Sequence, residues 1–290
     1  MAWKIRRPRS DLGVPATAIR RRTRGPLVAR RPRHEPRRAR CVILASALAL
    51  AACTPAPTSR QPLRVAAATN LAGALEALGQ AFHAAGGRPV VFSFASSAQL
   101  AQQLRAGAPF DAFAAADPRY TDLAVEAGAC DGTSRRSLGR GALAMWSRKG
   151  EAAPPTRLED LIDARFRRIA IAHPEHAPYG AAAVAALKKV GVWTQVQARV
   201  VYGENVRQAL QIAAAGEADV AITALSLVIA DKQHPWRAVD HALHPPLLQE
   251  LVVCRLGGAV TDAKAFAAFV GGEAGRGILR RHGLLPAGGP

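Results

Sequence analysis

The sequence is poor in aromatic residues, which make up 5% of its 290 positions. Recognition of sugars or bases by stacking depends on aromatic side chains, so this composition argues against it. The chain also lacks a Gly-x-Ser-x-Gly elbow, a Gly-rich phosphate loop and the Cys/His spacing of a metal site. An enzyme with Ser97 as nucleophile and His173 or His176 as its base is therefore kept only as an alternative from another functional class. No catalytic residue is predicted.

Acidic residues are few, 21 against 39 lysines and arginines, which gives a formal net charge of +18. Residues 1–40 contain 14 of the basic residues and 2 of the acidic ones, so the remainder of the chain carries only +6. A nucleic-acid interface would need its basic face in the folded part of the protein. The charge distribution instead indicates a basic leader, and no nucleic-acid partner is predicted.

Long hydrophobic runs are also missing. The apolar run at residues 41–52 is too short to span a bilayer, but it fits the h-region of a secretory signal. It ends in Leu50-Ala-Ala-Cys53, which resembles the lipobox of bacterial lipoproteins and implies that Cys53 becomes the lipidated first residue. The alternative is an ordinary small-residue cleavage site with an accidental cysteine. We predict a basic leader and lipoprotein signal peptide at 1–52, a Pro-rich tether at 53–62, and an exported protein, in the periplasm or at the cell surface, anchored to a membrane through Cys53.

Cysteine is scarce as well, with 4 residues in the chain. Once Cys41 is removed with the leader and Cys53 is acylated, Cys130 and Cys254 remain. An oxidising compartment makes a disulfide between these two residues possible. The distance between them in space does not follow from the sequence, so the pairing is left open.

Small hydroxyl and amide residues stand where predicted strands run into helices. Thr69 and Asn70 follow one apolar segment, and Ser96 and Ser97 follow the next. A helix N-terminus offers unpaired N–H groups and the positive end of the helix dipole, and a hydroxyl or amide there adds a side-chain donor. Such junctions can bind an anion. The alternative is that these residues only cap their own helices, which is the role predicted for Asp117.

The alternation of apolar strands and helices continues along the chain. Further junctions fall at residues 173–180 and 203–205, and further strands are predicted at 109–116, 138–146 and 218–224. This pattern predicts an α/β fold of mostly parallel sheets flanked by helices, in one large or two small lobes. The ligand is then expected at the carboxyl ends of the strands, where the junctions lie.

Seven motifs in register resemble the periplasmic molybdate-binding proteins of ABC importers, over essentially residues 61–285. They are Val65-Ala-Ala-Ala-Thr-Asn-Leu71, Phe92-Ser-Phe-Ala-Ser-Ser97, Gly107-Ala-Pro-Phe-Asp111, Ala115-Ala-Asp117, Pro174-Glu-His-Ala-Pro-Tyr-Gly180, Gly203-Glu-Asn205 and Gly216-Glu-Ala-Asp219. The resemblance implies the two-lobed type II periplasmic-binding-protein fold, in which crossing strands join two lobes, each a mostly parallel sheet flanked by helices. It places one lobe at 61–141 plus 232–290 and the other at 142–231. It also implies no enzymatic activity, no cofactor, a monomer, and a membrane permease as partner.

The resemblance further implies a binding shell for the oxyanion. Thr69 and Ser97 match the two hydroxyl donors that the family has in its first lobe. Asn70 matches a side-chain donor that part of the family carries. Ala116 and Val206 match two backbone contact positions, the second of them an N–H donor at a helix start.

One position departs from the pattern of the family. Many members have a ligand-binding tyrosine where this chain has Ala224, so that contact is missing. A subgroup instead carries a tyrosine in an Ala-Pro-Tyr-Gly turn, and Tyr179 fits that arrangement. The resemblance therefore implies that Tyr179 supplies the phenol donor, and that the metal of the site is the molybdenum of the oxyanion itself.

The chemistry of these donors agrees with such a ligand. A fully ionised tetrahedral dianion such as molybdate, tungstate or sulfate can only accept hydrogen bonds, and backbone N–H, Ser, Thr, Asn and Tyr groups donate them. We predict capture of molybdate and tungstate for delivery to an importer, with another oxyanion such as sulfate or thiosulfate as the alternative ligand. Protonated phosphate would need an acceptor. Neither strand-end loop contains an obvious inward Asp or Glu for this role, which leaves Asp117 and Glu204 as the candidates. An organic acid would need an arginine that the junctions do not offer.

Overall fold

The computed structural model describes residues 61–148 and 153–286. The predicted leader at 1–52, the predicted lipidation at Cys53 and all but the last two residues of the predicted tether lie outside the described residues and stay predictions. In the described ranges, no helix combines the length and the apolar character needed to cross a membrane.

Strands and helices alternate along the described ranges, as the sequence predicts. The strands are β1 Leu63–Ala68, β2 Val90–Ala95, β3 Ala112–Ala115, β4 Cys130–Gly141, β5 Leu143–Ser147, β6 Ile169–Ala172, β7 Val200–Gly203, β8 Val220–Ala224, β9 Trp236–Ala238 and β10 Leu247–Cys254. The helices are α1 Ala72–Ala84, α2 Ser97–Arg105, α3 Pro118–Glu126, α4 Pro178–Lys189, α5 Trp193–Val196, α6 Val206–Ala214, α7 Leu225–Val228, α8 Val260–Gly271 and α9 Glu273–Arg281. Short 3-10 turns, among them Thr69–Leu71, lie between these elements.

The ten strands form two five-stranded sheets. The first sheet has the order β2-β1-β3-β10-β4, with β1, β2 and β3 parallel and β10 antiparallel to both of its neighbours. The second sheet has the order β7-β6-β8-β5-β9, with β6, β7 and β8 parallel and β5 antiparallel to β8 and β9. We call each sheet with its helices a lobe. The α/β fold with two mostly parallel, helix-flanked sheets is thus confirmed.

Two segments of the chain join the lobes, one between β4 and β5 and one after β9. Strand β4 of the first sheet ends at Gly141, and β5 of the second sheet begins at Leu143, so one extended segment crosses between the lobes. The chain returns to the first sheet after β9. One large apolar core includes buried residues from both sheets, such as Val65 of β1 and Leu143 of β5, and therefore packs the lobes against each other.

The second sheet extends further along the chain than the predicted lobe boundary at residue 232. Strand β9 pairs with β5, with Ala238 opposite Ala144, so the chain leaves the second sheet only after residue 238. The reason is that hydrogen bonds to Asp231 hold the segment before β9 against the second sheet. We call this residue the anchor at Asp231. Its carboxylate accepts a hydrogen bond from Trp146 Nε1 at 2.9 Å, and its carbonyl accepts one from Trp236 Nε1 at 3.2 Å.

A disulfide joins Cys130 at the start of β4 to Cys254 at the end of β10. These two residues are direct partners in the antiparallel pair of strands. The pairing that the sequence left open is therefore present in the structure.

Candidate functional site

A small cavity lies where the carboxyl ends of strands from both sheets meet. The space between its atoms, including the part that opens to solvent, is about 200 Å³. The first lobe contributes the residues that follow β1, β2 and β3, and the second lobe contributes the beginnings of α4 and α6. All six positions predicted for the binding shell line it: Thr69, Asn70, Ser97, Ala116, Tyr179 and Val206.

Two hydroxyl groups reach the cavity from the first lobe. Thr69 opens a 3-10 turn directly after β1 and is 5% exposed, and Ser97 is the first residue of α2 and is 1% exposed. The residue that caps α2 is Ser96, whose Oγ accepts a hydrogen bond from Gln99 N while its own N–H donates to the Gln99 side chain. The capping interpretation is therefore correct for Ser96, whereas the hydroxyls of Thr69 and Ser97 do not cap their helices.

The Ser97 hydroxyl is oriented by a main-chain donor. The N–H of Ala116, which follows β3, donates to Ser97 Oγ at 3.0 Å. A hydroxyl oxygen that accepts this bond keeps its own proton for another acceptor. The backbone of Ala116, predicted as a ligand contact, thus holds Ser97 in this structure.

A third hydroxyl group comes from the second lobe. Tyr179 is the second residue of α4 and is 2% exposed. Its phenol oxygen accepts hydrogen bonds from Asn70 Nδ2 at 3.3 Å and from Gln249 Nε2 at 3.4 Å. Burial raises the pKa of Tyr179 far above its ordinary value, although these two hydrogen bonds act in the opposite direction. The phenol is therefore neutral at physiological pH and able to donate its proton.

Two glycines make room for the phenol and its helix. A Cβ atom on Gly141, at the end of β4, would overlap the phenol oxygen of Tyr179 and would lie 2.9 Å from Gln249 Nε2. A Cβ atom on Gly180, the next residue of α4, would overlap the carbonyl group of Ala172. A side chain at either glycine would therefore move Tyr179 from its place at the cavity.

No sequence pattern singled out Gln249, a residue of β10 that is 1% exposed. Its Oε1 accepts a hydrogen bond from Asn70 Nδ2 at 2.8 Å, and its Nε2 donates to Leu247 O at 3.0 Å. Asn70 and Tyr179 lie 179 and 70 residues away from it in the sequence. The one available signal was the pair Gln249-Glu250 within an otherwise apolar strand.

Val206, the first residue of α6, lines the cavity. The residue before it, Asn205, caps this helix, because its side chain accepts hydrogen bonds from the N–H groups of Arg207 and Gln208, both at 3.1 Å. The cap therefore does not use the N–H of Val206, the first of the helix. The carbonyl of Val206 is held by the hydroxyl of Thr223 at 3.0 Å.

The two lobes touch each other beside the cavity. Gln99 Nε2 of α2 donates a hydrogen bond to Glu204 Oε2 at 3.2 Å. The N–H of Ala98 donates to the carbonyl of His176 at 3.4 Å. These contacts join the first turn of α2 to the loops that precede α6 and α4, so the structure has its lobes closed over the cavity.

The two candidate acceptors for a protonated ligand are engaged elsewhere. Asp117 caps α3, as predicted, by accepting a hydrogen bond from Arg119 N at 2.9 Å. Glu204 is the partner of Gln99 between the lobes. Neither carboxylate is among the groups that line the cavity.

The residues of the alternative enzyme do not form a nucleophile and base pair. In the described part of the chain, Ser97 Oγ is bonded to the Ala116 N–H and to neither histidine. His173 and His176 instead stack on each other, with their ring centroids 4.7 Å apart. With Glu175 they hold ligand atoms within 4.8 Å of one another and could bind a metal ion, but none of the three lines the cavity.

Comparison with known proteins agrees with this geometry. The profile of the family described as "bacterial extracellular solute-binding protein" matches residues 63–285. The chain is 32% identical to the molybdate-binding protein ModA of Rhodobacter capsulatus over 83% of this chain and 95% of that protein, and 30% identical to ModA of Escherichia coli (strain K12) over 82% and 95%. The solved structure of the Azotobacter vinelandii periplasmic molybdate-binding protein is similar with a TM-score of 0.72 and 28% identity, over 77% of this chain and 98% of that one. The chain therefore belongs to the bacterial extracellular solute-binding proteins and, among them, to the family of the periplasmic molybdate-binding proteins.

Proposed function

We propose that this protein captures a molybdate dianion between its two lobes. The observation that carries the proposal is the set of donors: the hydroxyls of Thr69, Ser97 and Tyr179 and the first N–H of α6 surround one cavity. The oxygens of Ser97 and Tyr179 already accept hydrogen bonds from N–H groups. Each of these hydroxyls still has its proton to donate, and a tetrahedral dianion has only acceptors. The molybdate-binding relatives support the same ligand.

Tungstate has the same charge and tetrahedral shape as molybdate, so we propose that it binds at the same place. Sulfate and thiosulfate offer acceptors too, and the donors alone do not separate them from molybdate. Discrimination by size then depends on how closely the two lobes close around the ligand.

We further propose that the loaded protein delivers its ligand to the membrane permease of an ABC importer. The contacts between Gln99 and Glu204 and between Ala98 and His176 require closed lobes. A ligand that binds both lobes stabilises the closed form, and a permease can then distinguish loaded from unloaded protein by shape. This task needs an extracytoplasmic protein, which agrees with the predicted leader and with the predicted anchor at Cys53.

Calorimetric titration with molybdate, tungstate, sulfate and hydrogen phosphate tests the proposal. We expect molybdate and tungstate to bind most tightly. A Thr69→Ala, Ser97→Ala double variant should bind molybdate at least about a hundred-fold more weakly, because each hydrogen bond to a charged ligand contributes about 1.5–3 kcal/mol.

A matched control is the Thr133→Ala, Ser137→Ala double variant. It also removes one threonine and one serine hydroxyl, but from exposed positions of β4 that do not line the cavity. It should therefore bind like the unchanged protein. A preference for sulfate over molybdate, or binding that survives the loss of Thr69 and Ser97, would contradict the proposal.

A further inference from the structure

Gln249 is a buried polar residue in direct contact with Tyr179 and Asn70, two of the predicted ligand-binding residues. It belongs to β10, whose pairing with β4 shifts register between Gln249 and Glu250. Irregularities of this kind change the direction of the side chains beside them. Gln249 thereby joins residues from both lobes, since Asn70 belongs to the first and Tyr179 to the second.

The carbonyl of Leu247 determines how the Gln249 amide is oriented. A main-chain carbonyl can only accept a hydrogen bond, so the Gln249 atom 3.0 Å from it must be the nitrogen. The oxygen of Gln249 is then the atom that faces Asn70. Because this oxygen also can only accept, Asn70 must present its nitrogen, at 2.8 Å.

The orientations of the Gln249 and Asn70 amides determine the role of the Tyr179 phenol. The nitrogens of Asn70 and Gln249 each carry a second N–H, and they lie 3.3 and 3.4 Å from the phenol oxygen of Tyr179. That oxygen accepts both hydrogen bonds, so the single proton of the phenol has to be donated to a different group. Tyr179 lines the cavity, where a bound anion would accept that proton.

We propose that Gln249 is a specificity-determining residue that acts through Tyr179. Together with Asn70 it makes the phenol an obligate donor to the bound anion, so the site favours oxyanions that carry no proton over those that do. Asn70, predicted as a direct ligand donor, would then be a positioning residue, because both of its N–H groups are used by Gln249 and Tyr179. This inference rests on the proposed function, since it concerns the same cavity.

A comparison of sulfate with hydrogen phosphate separates the preference for unprotonated oxyanions from the effect of ligand charge. Both are tetrahedral dianions at a pH where phosphate is singly protonated, but hydrogen phosphate has an O–H group that needs an acceptor. A phenol that only donates a hydrogen bond cannot accept one from this O–H group. The ratio of the two dissociation constants therefore reports the direction of the phenol proton.

The experiment measures this ratio, and the affinity for molybdate, in Gln249→Glu and Gln249→Met variants. The carboxylate of Gln249→Glu should take the phenol proton and leave the phenol oxygen free to accept from hydrogen phosphate. We expect the preference for sulfate over hydrogen phosphate to fall by about ten-fold or more, the size of one hydrogen bond to a charged group. The repulsion from the added negative charge acts on both dianions and cancels in the ratio. Gln249→Met should weaken molybdate binding without reversing the preference.

Controls separate the proposed role from a general structural one. In a Tyr179→Phe background the Gln249 substitutions should no longer change the ratio, because no phenol proton is left to orient. Gln103, exposed on α2, gives the matched pair Gln103→Glu and Gln103→Met, which should leave all affinities unchanged. In case a Gln249 variant does not fold, the Raman tyrosine doublet of the unaltered protein with molybdate, minus that of Tyr179→Phe, should show a phenol that donates.

The outcomes distinguish this inference from the proposed function. A protein that binds molybdate tightly, but whose Gln249 variants keep the original ratio or change it equally in the Tyr179→Phe background, overturns this inference alone. A Raman difference typical of an accepting phenol does the same. A protein that binds no oxyanion overturns the proposed function, and this inference with it.

Discussion

At the scale of single residues, two hydroxyl groups at the cavity already accept hydrogen bonds from N–H groups. The N–H of Ala116 holds Ser97 Oγ, and two side-chain amides hold the phenol oxygen of Tyr179. Donors oriented in this way need little rearrangement when a negatively charged ligand arrives, which is the benefit of a preorganised polar site. The absence of a side chain at Gly141 is part of this arrangement, because the phenol oxygen occupies that space.

A Gly141→Ala variant should therefore lose ligand affinity. The added methyl group would overlap the phenol oxygen and displace Tyr179, so we expect molybdate binding to weaken by at least about ten-fold, the contribution of one hydrogen bond to a charged ligand. Calorimetric titration measures this loss. Gly277→Ala is a suitable control, because a Cβ there would meet only the end of the Arg281 side chain at 3.6 Å. Equal affinities in the two variants would show that the space beside Tyr179 is not needed.

Single residues were predictable to different degrees. Thr69 and Ser97 stand at strand-to-helix junctions, a local pattern that any reader of the sequence can find. Gln249 and Gly141 act through contacts with residues far away in the chain, and no local pattern reports such contacts. The contacts of Asn70 with Tyr179 and of Ala116 with Ser97 also follow from no local pattern, and the ligand-binding roles of Asn70 and Ala116 stay predictions.

At the scale of strands and helices, the position of a short strand depends on side-chain hydrogen bonds that hold the neighbouring loop. Strand β9 has three residues and lies at the edge of the second sheet. Its position depends on the loop before it, where the carboxylate of Asp231 accepts hydrogen bonds from Trp146 Nε1 and from the backbone N–H groups of Gln233 and His234. The lobe boundary at residue 232 was implied by the family resemblance, and the strand that follows it was not predicted, because three residues are too short a pattern to recognise.

The anchor at Asp231 should make stability depend on pH in the acid range. Partial burial raises the pKa of Asp231, but the hydrogen bonds from Trp146, Gln233 and His234 outweigh it and lower the pKa to about 2. A carboxyl group with a lowered pKa in the folded state stabilises the protein above the pKa of the unfolded chain, about 3.9, and this contribution is lost as the pH falls through about 2. Asp231→Asn should therefore lower the free energy of unfolding at pH 7 and flatten its decline between about pH 4 and pH 2.

Urea unfolding at several pH values measures this effect. Glu76→Gln, an exposed acid-to-amide change on α1, controls for the loss of one negative charge. If Asp231→Asn and Glu76→Gln showed the same pH profile, the anchor would contribute nothing specific.

At the scale of the whole molecule, the second lobe is inserted into the first. The chain leaves the first sheet through β4 and returns to it through β10, and these two strands are neighbours in that sheet. The disulfide between Cys130 and Cys254 fastens them together across a sequence separation of 124 residues. The repeated junctions predict an α/β fold in one large or two small lobes, and the family resemblance implies two. The disulfide pairing could not be predicted, because it depends on which strands become neighbours.

Loss of the disulfide should lower stability and leave ligand binding intact. A cross-link over so long a loop restricts the unfolded chain, and its removal typically costs about 2–4 kcal/mol. We expect a Cys130→Ala, Cys254→Ala variant to show this decrease in the free energy of unfolding and an unchanged affinity for molybdate, since neither cysteine lines the cavity. Reduction of the unaltered protein should reproduce the decrease, and the variant should not respond to reductant. A variant of unchanged stability would mean that the cross-link does not constrain the unfolded chain.

The pairing of β5 with β9 has a consequence for how such proteins can diversify. Ala144 lies opposite Ala238, and the N–H of Val239 donates to the carbonyl of Leu143 at 2.9 Å, so the chain enters and leaves the second lobe at one place. The second lobe is therefore an inserted segment whose two ends lie next to each other. Exchanging it by recombination would replace Tyr179 and Val206 together and leave the hydroxyls of Thr69 and Ser97 in the framework that receives it.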